Sequence, residues 1–264
     1  SEDARMRIAA ITREPEAFEA WFRICRGFAP PRLNPNLVWY IAQTFLALQP
    51  DDGDMGERLA DHVVKALREA KSESFWTAPD LELEAAAQAF CHRLASHFPR
   101  HAPEVADIVE AAGRLTLVQT ALKLTIPGIP DIYQGCELPF HALTDPDNRR
   151  AVDFDLRRRA VEDAGVLEEG LARSKFEMTR RLLWLRREES ELFLHGGYER
   201  LEAPPRVCAF ARTVPGRRLA VAVHSDEGDA RSLDDVLPHG ERIWPAGDSD
   251  DGPVRIVLAA EGRG

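Results

Sequence analysis

Apolar positions recur every three to four residues along residues 1–126 and every second residue after about position 196. The chain therefore predicts helices in series followed by antiparallel strands. "SEDARMRIAAI" places a serine at a helix N-cap with two acids behind it, which suits the unpaired amides and positive end of a first turn. "PEAFEAWFRICRGF" starts at Pro15, a residue that fits a first helical position, and ends near Gly27. Asn34 and Pro35 open "NPNLVWYIAQTFLAL" in the same way, and its nearly all-round apolar character predicts burial, Trp39 and Tyr40 included. In "ERLADHVVKALREAKSESFW" the residues Leu59, Val63, Leu67 and Ala70 share one face. Glu57, Asp61, Lys65 and Glu69 repeat every four residues on another, a solvated ion-pair ladder. Asp80 caps "DLELEAAAQAFCHRLASHF". Pro103 opens a long helix striped by Val105, Ile108, Ala112, Leu115 and Leu122, which Pro127 and Gly128 stop.

Beyond a polar loop, a short helix is expected near Leu156 to Ala164, and a strong one from Arg173 to Leu192 with Met178, Leu182 and Leu185 inward. The period then changes. "RVCAFARTV" and "RRLAVAVHS" flank Pro215 and Gly216, and "VRIVLAA" repeats the alternation, so a small antiparallel β domain begins near Gly196. "GDSDDGP" reads as a surface loop.

One stretch, "TIPGIPDIYQGCE" at 125–137, fits neither pattern. Residues 129–134 are too few for a helix, contain Pro130, and directly follow a helix stop. The reading is a short buried strand of a parallel sheet, with proline at its start where the ladder needs no donor. Each buried backbone group left unpaired costs about 1 to 3 kcal/mol, and residues 1–126 offer no parallel strand as a neighbour. The rest of that sheet is expected from polypeptide outside these residues. The chain, which opens on serine within a helical pattern, therefore reads as a fragment.

Charge and composition narrow the classes. The 264 residues carry 34 basic and 44 acidic side chains, a formal charge of -10 with no basic stripe, which speaks against nucleic acid as a partner. No apolar run approaches the roughly 18 residues of a membrane helix, and the N-terminal residues are charged, so a cytoplasmic protein with no membrane partner is expected. Cys25, Cys91, Cys136 and Cys208 are isolated from one another and read as buried thiols. His92, His97 and His101 have a suggestive spacing, but Pro99 interrupts their helix and no carboxylate accompanies them. Neither a metal nor a cofactor is expected.

Four segments carry a resemblance. "GIPDIYQGCE" resembles the eighth barrel strand of the α-amylase superfamily, where G-x-P-x-x-Y-x-G-x-E recurs before a C-terminal β domain. "DPDNRRAVDFDLR" narrows this, because D-P-D-N-R-R-x-V-D-F after that strand resembles the maltooligosyltrehalose synthase family. "SEDARMR" resembles that family's S-E-D-V-R-A-R, which follows on H-D-T-K-R. "KALREAKSESFWTAP" resembles its K-A-x-R-E-A-K-x-x-x-x-W-x-x-P. All four stand in the family's order.

The resemblance implies an α+β fragment: a mostly helical part with the last strand of a (β/α)8 barrel, then a small antiparallel β domain. The expected division is 1–126 for the helical insertion and barrel helices, 127–195 for the last barrel strand, the active-site-side loop and final helices, and 196–264 for the β domain. It also implies conversion of the reducing-end α-1,4 linkage of a maltooligosaccharide into an α,α-1,1 linkage through a glycosyl-enzyme intermediate. The family's nucleophile, acid and third essential aspartate all fall before Ser1. The isolated chain is thus expected to be inactive and to need the N-terminal part of the enzyme as its partner.

On a barrel, ligands meet the loops beyond the strands' carboxyl ends, which assigns Gln134 through Arg150 to the substrate side. Asp145, Asp147, Asn148, Arg149 and Arg150 supply acceptors and fork-like donors for sugar hydroxyls. The alternative is a self-bonded Asp-Pro-Asp-Asn turn pinned by the arginine pair, and roughly two of the five are expected to reach substrate. Lys71 and Arg68 either project over the cleft, as the resemblance suggests for Lys71, or form a surface pair. Asp131 and Tyr133 are expected to share an interior face, and Glu137 to anchor the loop. Pro139 and Phe140 replace the family's usual Trp-Asp.

Two rival readings stay open: another α-glucan hydrolase or transglycosylase of the superfamily, and a non-catalytic helical adaptor with a β carbohydrate-binding module.

Overall fold

A computed structural model describes residues 1–49, 54–98, 103–224, 231–245 and 252–260. Most of "GDSDDGP" and His101 lie outside the described residues. The chain is mostly helical with a five-stranded antiparallel sheet, and it divides into two units.

The first unit comprises Ser1–Ala112 with Phe140–Ala151. Its helices are α1 (Glu2–Ala10), α2 (Pro15–Phe28), α3 (Pro35–Leu48), α4 (Met55–Ala70), α5 (Leu81–His97) and the start of α6 (Ala106–Thr125). The capping residues act as the sequence predicts. Ser1, Asn34 and Asp80 each accept a hydrogen bond from the amide three residues on, which satisfies one orphan donor of each first turn. Trp21, fully buried, gives its indole N–H to the Ala42 carbonyl at 3.1 Å and packs against Phe45 and Phe98. Trp39 departs from the expected burial. It is 43% exposed, lying at the edge of the core against Phe18 and Phe22, because a helix that is apolar all round still needs neighbours on every side.

The second unit comprises Gly113–Pro139 with Val152–Gly264. Its described elements are the remainder of α6, then α7 (Phe154–Glu162), α8 (Leu171–Glu188), α9 (Ser190–Leu194), α10 (Arg231–Asp234) and strands β1 (Gly197–Arg200), β2 (Val207–Val214), β3 (Arg217–His224), β4 (Glu241–Trp244) and β5 (Val254–Ala259). The single helix expected over 173–192 is broken at Glu189 into α8 and α9. The sheet runs β1-β2-β3-β5-β4, antiparallel throughout. Gly216, at φ +84°, supplies the left-handed residue that the two-residue turn between β2 and β3 requires after proline.

One face of the sheet buries Phe210, Leu219, Val221, Val223, Ile256 and Leu258 against Met178, Leu182 and Leu185 of α8 and Val118, Ala121 and Leu124 of α6. Ala209, Ala222 and Leu233 close the other face. Of the four cysteines, Cys25, Cys91 and Cys136 are buried as expected, but Cys208 is exposed.

Residues 129–133 do not form the expected strand. They carry no regular secondary structure, and Ile129 is 95% exposed. Asp131 and Tyr133 are exposed as well, so neither occupies an interior here. The physical reason is that a lone strand cannot pair its own amides and carbonyls; an apolar sequence marks a capacity for burial, which only neighbouring strands can realise.

Candidate functional site

In the first unit, residues 140–150 form a turn seated on α1 and α4. Asp3, fully buried, accepts the amide of Phe140 at 2.8 Å. The Ser1 hydroxyl accepts the amide of Ala142 and donates to the Phe140 carbonyl. The "SED" segment is therefore more than a helix start: its side chains fasten the backbone of 140–142, where the Pro139–Phe140 departure lies.

The central brace is Arg58 on α4. Its Nε and Nη2 reach the two oxygens of Asp147 at 2.7 and 3.0 Å, and Nη2 also donates to the His141 carbonyl at 2.6 Å. Asp147 takes the Leu143 amide too, at 2.6 Å. Burial pushes the Asp147 carboxyl up, but the Arg58 fork, the Leu143 amide and the charges of Arg58 and Arg150 more than reverse this and hold it below the usual aspartate range. Lys65 donates to the Asp145 carbonyl, and a short 3-10 turn over Asp147–Arg149 follows the cis Asp145–Pro146 bond.

The remaining predicted residues fall at different places. Asp145 pairs with Arg149 at 2.7 Å, and the Arg149 side chain is otherwise exposed. Arg150 reaches Asp54 at 3.2 Å. Asn148 has its side-chain oxygen buried with no hydrogen-bond partner. The turn is thus pinned by Arg58 from α4 rather than by Arg149 and Arg150 alone. Beside it, the half-buried Tyr40 hydroxyl meets His62 Nε2 at 2.7 Å. Burial lowers the His62 imidazole pKa, partly countered by Asp147, then lowered further by Lys65 and raised by Glu69.

A second feature of this unit is the loop 71–80 between α4 and α5. Arg68 does not pair with Lys71. It forks onto Glu84 at 2.8 and 2.7 Å and lies 5.1 Å from the ring centre of Trp76. Glu84, nearly buried, is held below its usual pKa by the Arg68 hydrogen bond first, against burial, with help from Ser74. Lys71 is exposed, in left-handed backbone at φ +54°.

In the second unit, Gln134 is exposed at the start of a turn over 134–137. Glu137 anchors this loop as expected: Arg157 bonds its carboxylate at 3.1 Å and the Gly135 carbonyl at 2.7 Å.

Sequence reasoning missed Arg58, the docking role of Ser1 and Asp3, and the Tyr40–His62 pair. Arg58 stands among the charged positions of an amphipathic helix, where nothing local distinguishes a brace from a solvated cation.

No protein-family model matches the chain. Over 244 residues it is 31% identical to proteins described as "Putative maltooligosyl trehalose synthase" in two strains of Mycobacterium tuberculosis, covering 84% of this chain and 29% of theirs. A crystal structure of a maltooligosyl trehalose synthase superposes with a TM-score of 0.75 at 28% identity, over 85% of this chain and 32% of that one. The chain is homologous to the C-terminal region of maltooligosyl trehalose synthases. A hypothetical maltooligosyl trehalose synthase from Sulfolobus tokodaii gives a TM-score of 0.73 at 27% identity over 99% of this chain and 37% of its own. A cyclomaltodextrinase of Thermoanaerobacter pseudethanolicus is 27% identical over 76% of this chain and 33% of its own. The chain thus spans under a third of the length of the curated maltooligosyl trehalose synthases it matches.

Proposed function

We propose that this chain is the C-terminal part of a cytoplasmic enzyme that isomerises the reducing-end α-1,4 linkage of maltooligosaccharides to an α,α-1,1 linkage. The observation that carries the reading is the conjunction of this homology with the braced turn: the D-P-D-N-R-R segment, through which the sequence resembles that family, is locked by Arg58, while "SED" fastens residues 140–142 just before it. In this reading Asp147 and Asp145 shape the turn; Arg149, the side-chain NH2 of Asn148 and Lys71 in the first unit, and separately Gln134 in the second, are the groups that offer hydrogen bonds to sugar hydroxyls. Arg150, tied to Asp54, orients the turn's exit.

The chemistry belongs to a retaining mechanism: a carboxylate attacks the anomeric carbon, a carboxylic acid protonates the leaving glucose, and that glucose returns through its own anomeric hydroxyl. We assign both carboxyl groups, and a third aspartate, to polypeptide preceding these residues. The part of the mechanism supplied here is positioning and water exclusion, since water reaching the intermediate yields glucose. Residues 129–134 would gain strand partners from that same polypeptide, which the exposure of Ile129 supports.

The test joins this chain to the preceding region of a maltooligosyl trehalose synthase and analyses the products from maltopentaose. A non-reducing product is expected, with this chain alone inactive. Similarity to a cyclomaltodextrinase favours a second reading, hydrolysis or transfer within α-glucans; glucose with no trehalosyl end would select it.

A further inference from the structure

We propose that the loop 71–80 is a platform for one glucose ring of an α-1,4-glucan, with Trp76 stacking on the ring and Lys71 donating to its hydroxyls. This rests on the α-glucan reading above and adds an aromatic contact to it. Trp76 is 57% exposed although it is the largest apolar side chain of its loop, and the Arg68 guanidinium lies over its ring. With that side occupied, the exposed surface is the ring's other face and edge. The negative face of an indole attracts the partial positive charge of pyranose C–H bonds as it attracts a cation.

The loop is held in place before any ligand arrives. Ser74, fully buried, donates to Glu84 and accepts the Asp80 amide at 3.1 Å. Asp80 in turn binds Arg32, and Glu73 accepts from Asn34 at 2.6 Å. Each of these anchors belongs to the same unit, so the position of Trp76 needs no further chain to fix it. Ordering a contact surface in advance is what a weak, rigid sugar contact requires, since the ordering cost is then not charged to binding.

Lys71 supplies the second observation. At φ +54° it occupies the left-handed position that closes α4, where glycine or asparagine would be less strained. The side chain of Lys71 extends from this helix end, and no hydrogen bond or ion pair occupies its ammonium group among the described residues. The surrounding Glu69, Lys71 and Glu73 make the rim polar, which suits a hydroxyl-rich ligand better than a protein surface.

The test uses this 264-residue chain, two sugars, maltopentaose and cellopentaose, the Trp76 indole N–H resonance of the parent, and calorimetric titration to give the affinity of the parent and of every variant. Maltopentaose should shift that resonance saturably and cellopentaose should not. Trp76→Ala should weaken maltopentaose binding by about tenfold and Lys71→Ala by about threefold, whereas Trp76→Phe should stay within about threefold of the parent. Circular dichroism melts of the variants verify that they fold. Unchanged maltopentaose binding in Trp76→Ala overturns the platform while leaving the α-glucan reading intact. A saturable cellopentaose shift keeps the platform and overturns the α-glucan class. If neither sugar moves the Trp76 resonance, the platform is wrong, and the product analysis proposed above still decides the reaction.

Discussion

Arg58 Nε lies 2.7 Å from Asp147 Oδ1, joining α4 to a turn 89 positions away, with both side chains about nine-tenths buried. A pair so shielded is stable mainly because each partner neutralises the other; removing one strands the other in low dielectric. Arg58→Ala and Asp147→Ala should each destabilise the first unit by about 2 to 4 kcal/mol. The double variant should cost clearly less than the sum. Urea unfolding of all four proteins measures this, and strict additivity would show that the pair is no brace.

The same pair sets a pH dependence. The folded Asp147 carboxyl titrates below its unfolded value, so over the interval between the two the unfolded chain binds more protons and stability rises with pH. The contribution is complete above about pH 4, the unfolded aspartate value, and is lost as pH falls through the folded value. Urea midpoints taken from about pH 7 down to pH 3 should therefore fall more steeply for the parent chain than for Asp147→Asn. Parallel curves would contradict the assignment.

Ser74 links two groups that would otherwise be left alone. Its hydroxyl serves both the Glu84 carboxylate and the Asp80 amide inside the fold. Ser74→Ala should cost about 1 to 3 kcal/mol, the usual loss for a buried group deprived of its partner. Acrylamide quenching should also reach the Trp76 indole more readily once the loop loosens. A Ser74→Ala chain with the parent's thermal midpoint and quenching would show that the loop is held by other means.

These contacts mark where sequence legibility ends. Caps and period announced α2, α3 and α5, because Pro15, Asn34 and Asp80 act on neighbours within one turn. Met178, Leu182 and Leu185 declared their face for the same reason. β1 and β4 were not legible: each has four residues, and "GYER" is exposed throughout, so no alternation could form. Residues 129–134 show the converse limit: their apolar character is legible, but the strand expected of them needs neighbours that the described residues do not supply, and without those 129–133 stay irregular. Of the braced turn, its polar composition could be read, but not Arg58, since a bond spanning 89 positions leaves no periodic trace.

Arg212 shows how a charge enters a sheet without a carboxylate. Almost wholly buried on β2, it donates to the carbonyls of Thr125, Phe193, Gly196 and Gly197, closing the end of α6 and the chain that leaves α9. Burial lowers its pKa from the usual guanidinium value. Arg212→Met keeps much of the stem and removes all the donors, so the loss should fall between about 2 and 5 kcal/mol. Arg212→Lys, with its compact ammonium, should recover only part. Thermal unfolding ranks the three proteins; a Met variant as stable as the parent would mean that these carbonyls are satisfied by water.

Ile129 separates the chain as it stands from the larger enzyme proposed for it. At 95% exposure it contributes little to the fold seen here, so Ile129→Asp should change the stability of this chain by no more than about 0.5 kcal/mol. If residues 129–134 become a buried strand when the preceding polypeptide is supplied, the same substitution must then desolvate a carboxylate with no partner, an effect of several kcal/mol. Mixing the 264-residue chain with the preceding region of a maltooligosyl trehalose synthase and measuring association by sedimentation should therefore show binding for the parent and its loss for Ile129→Asp. Equal association of both would remove residues 129–134 from the proposed barrel. A large loss of stability in the isolated Ile129→Asp chain would instead show that this residue already supports the fold described here.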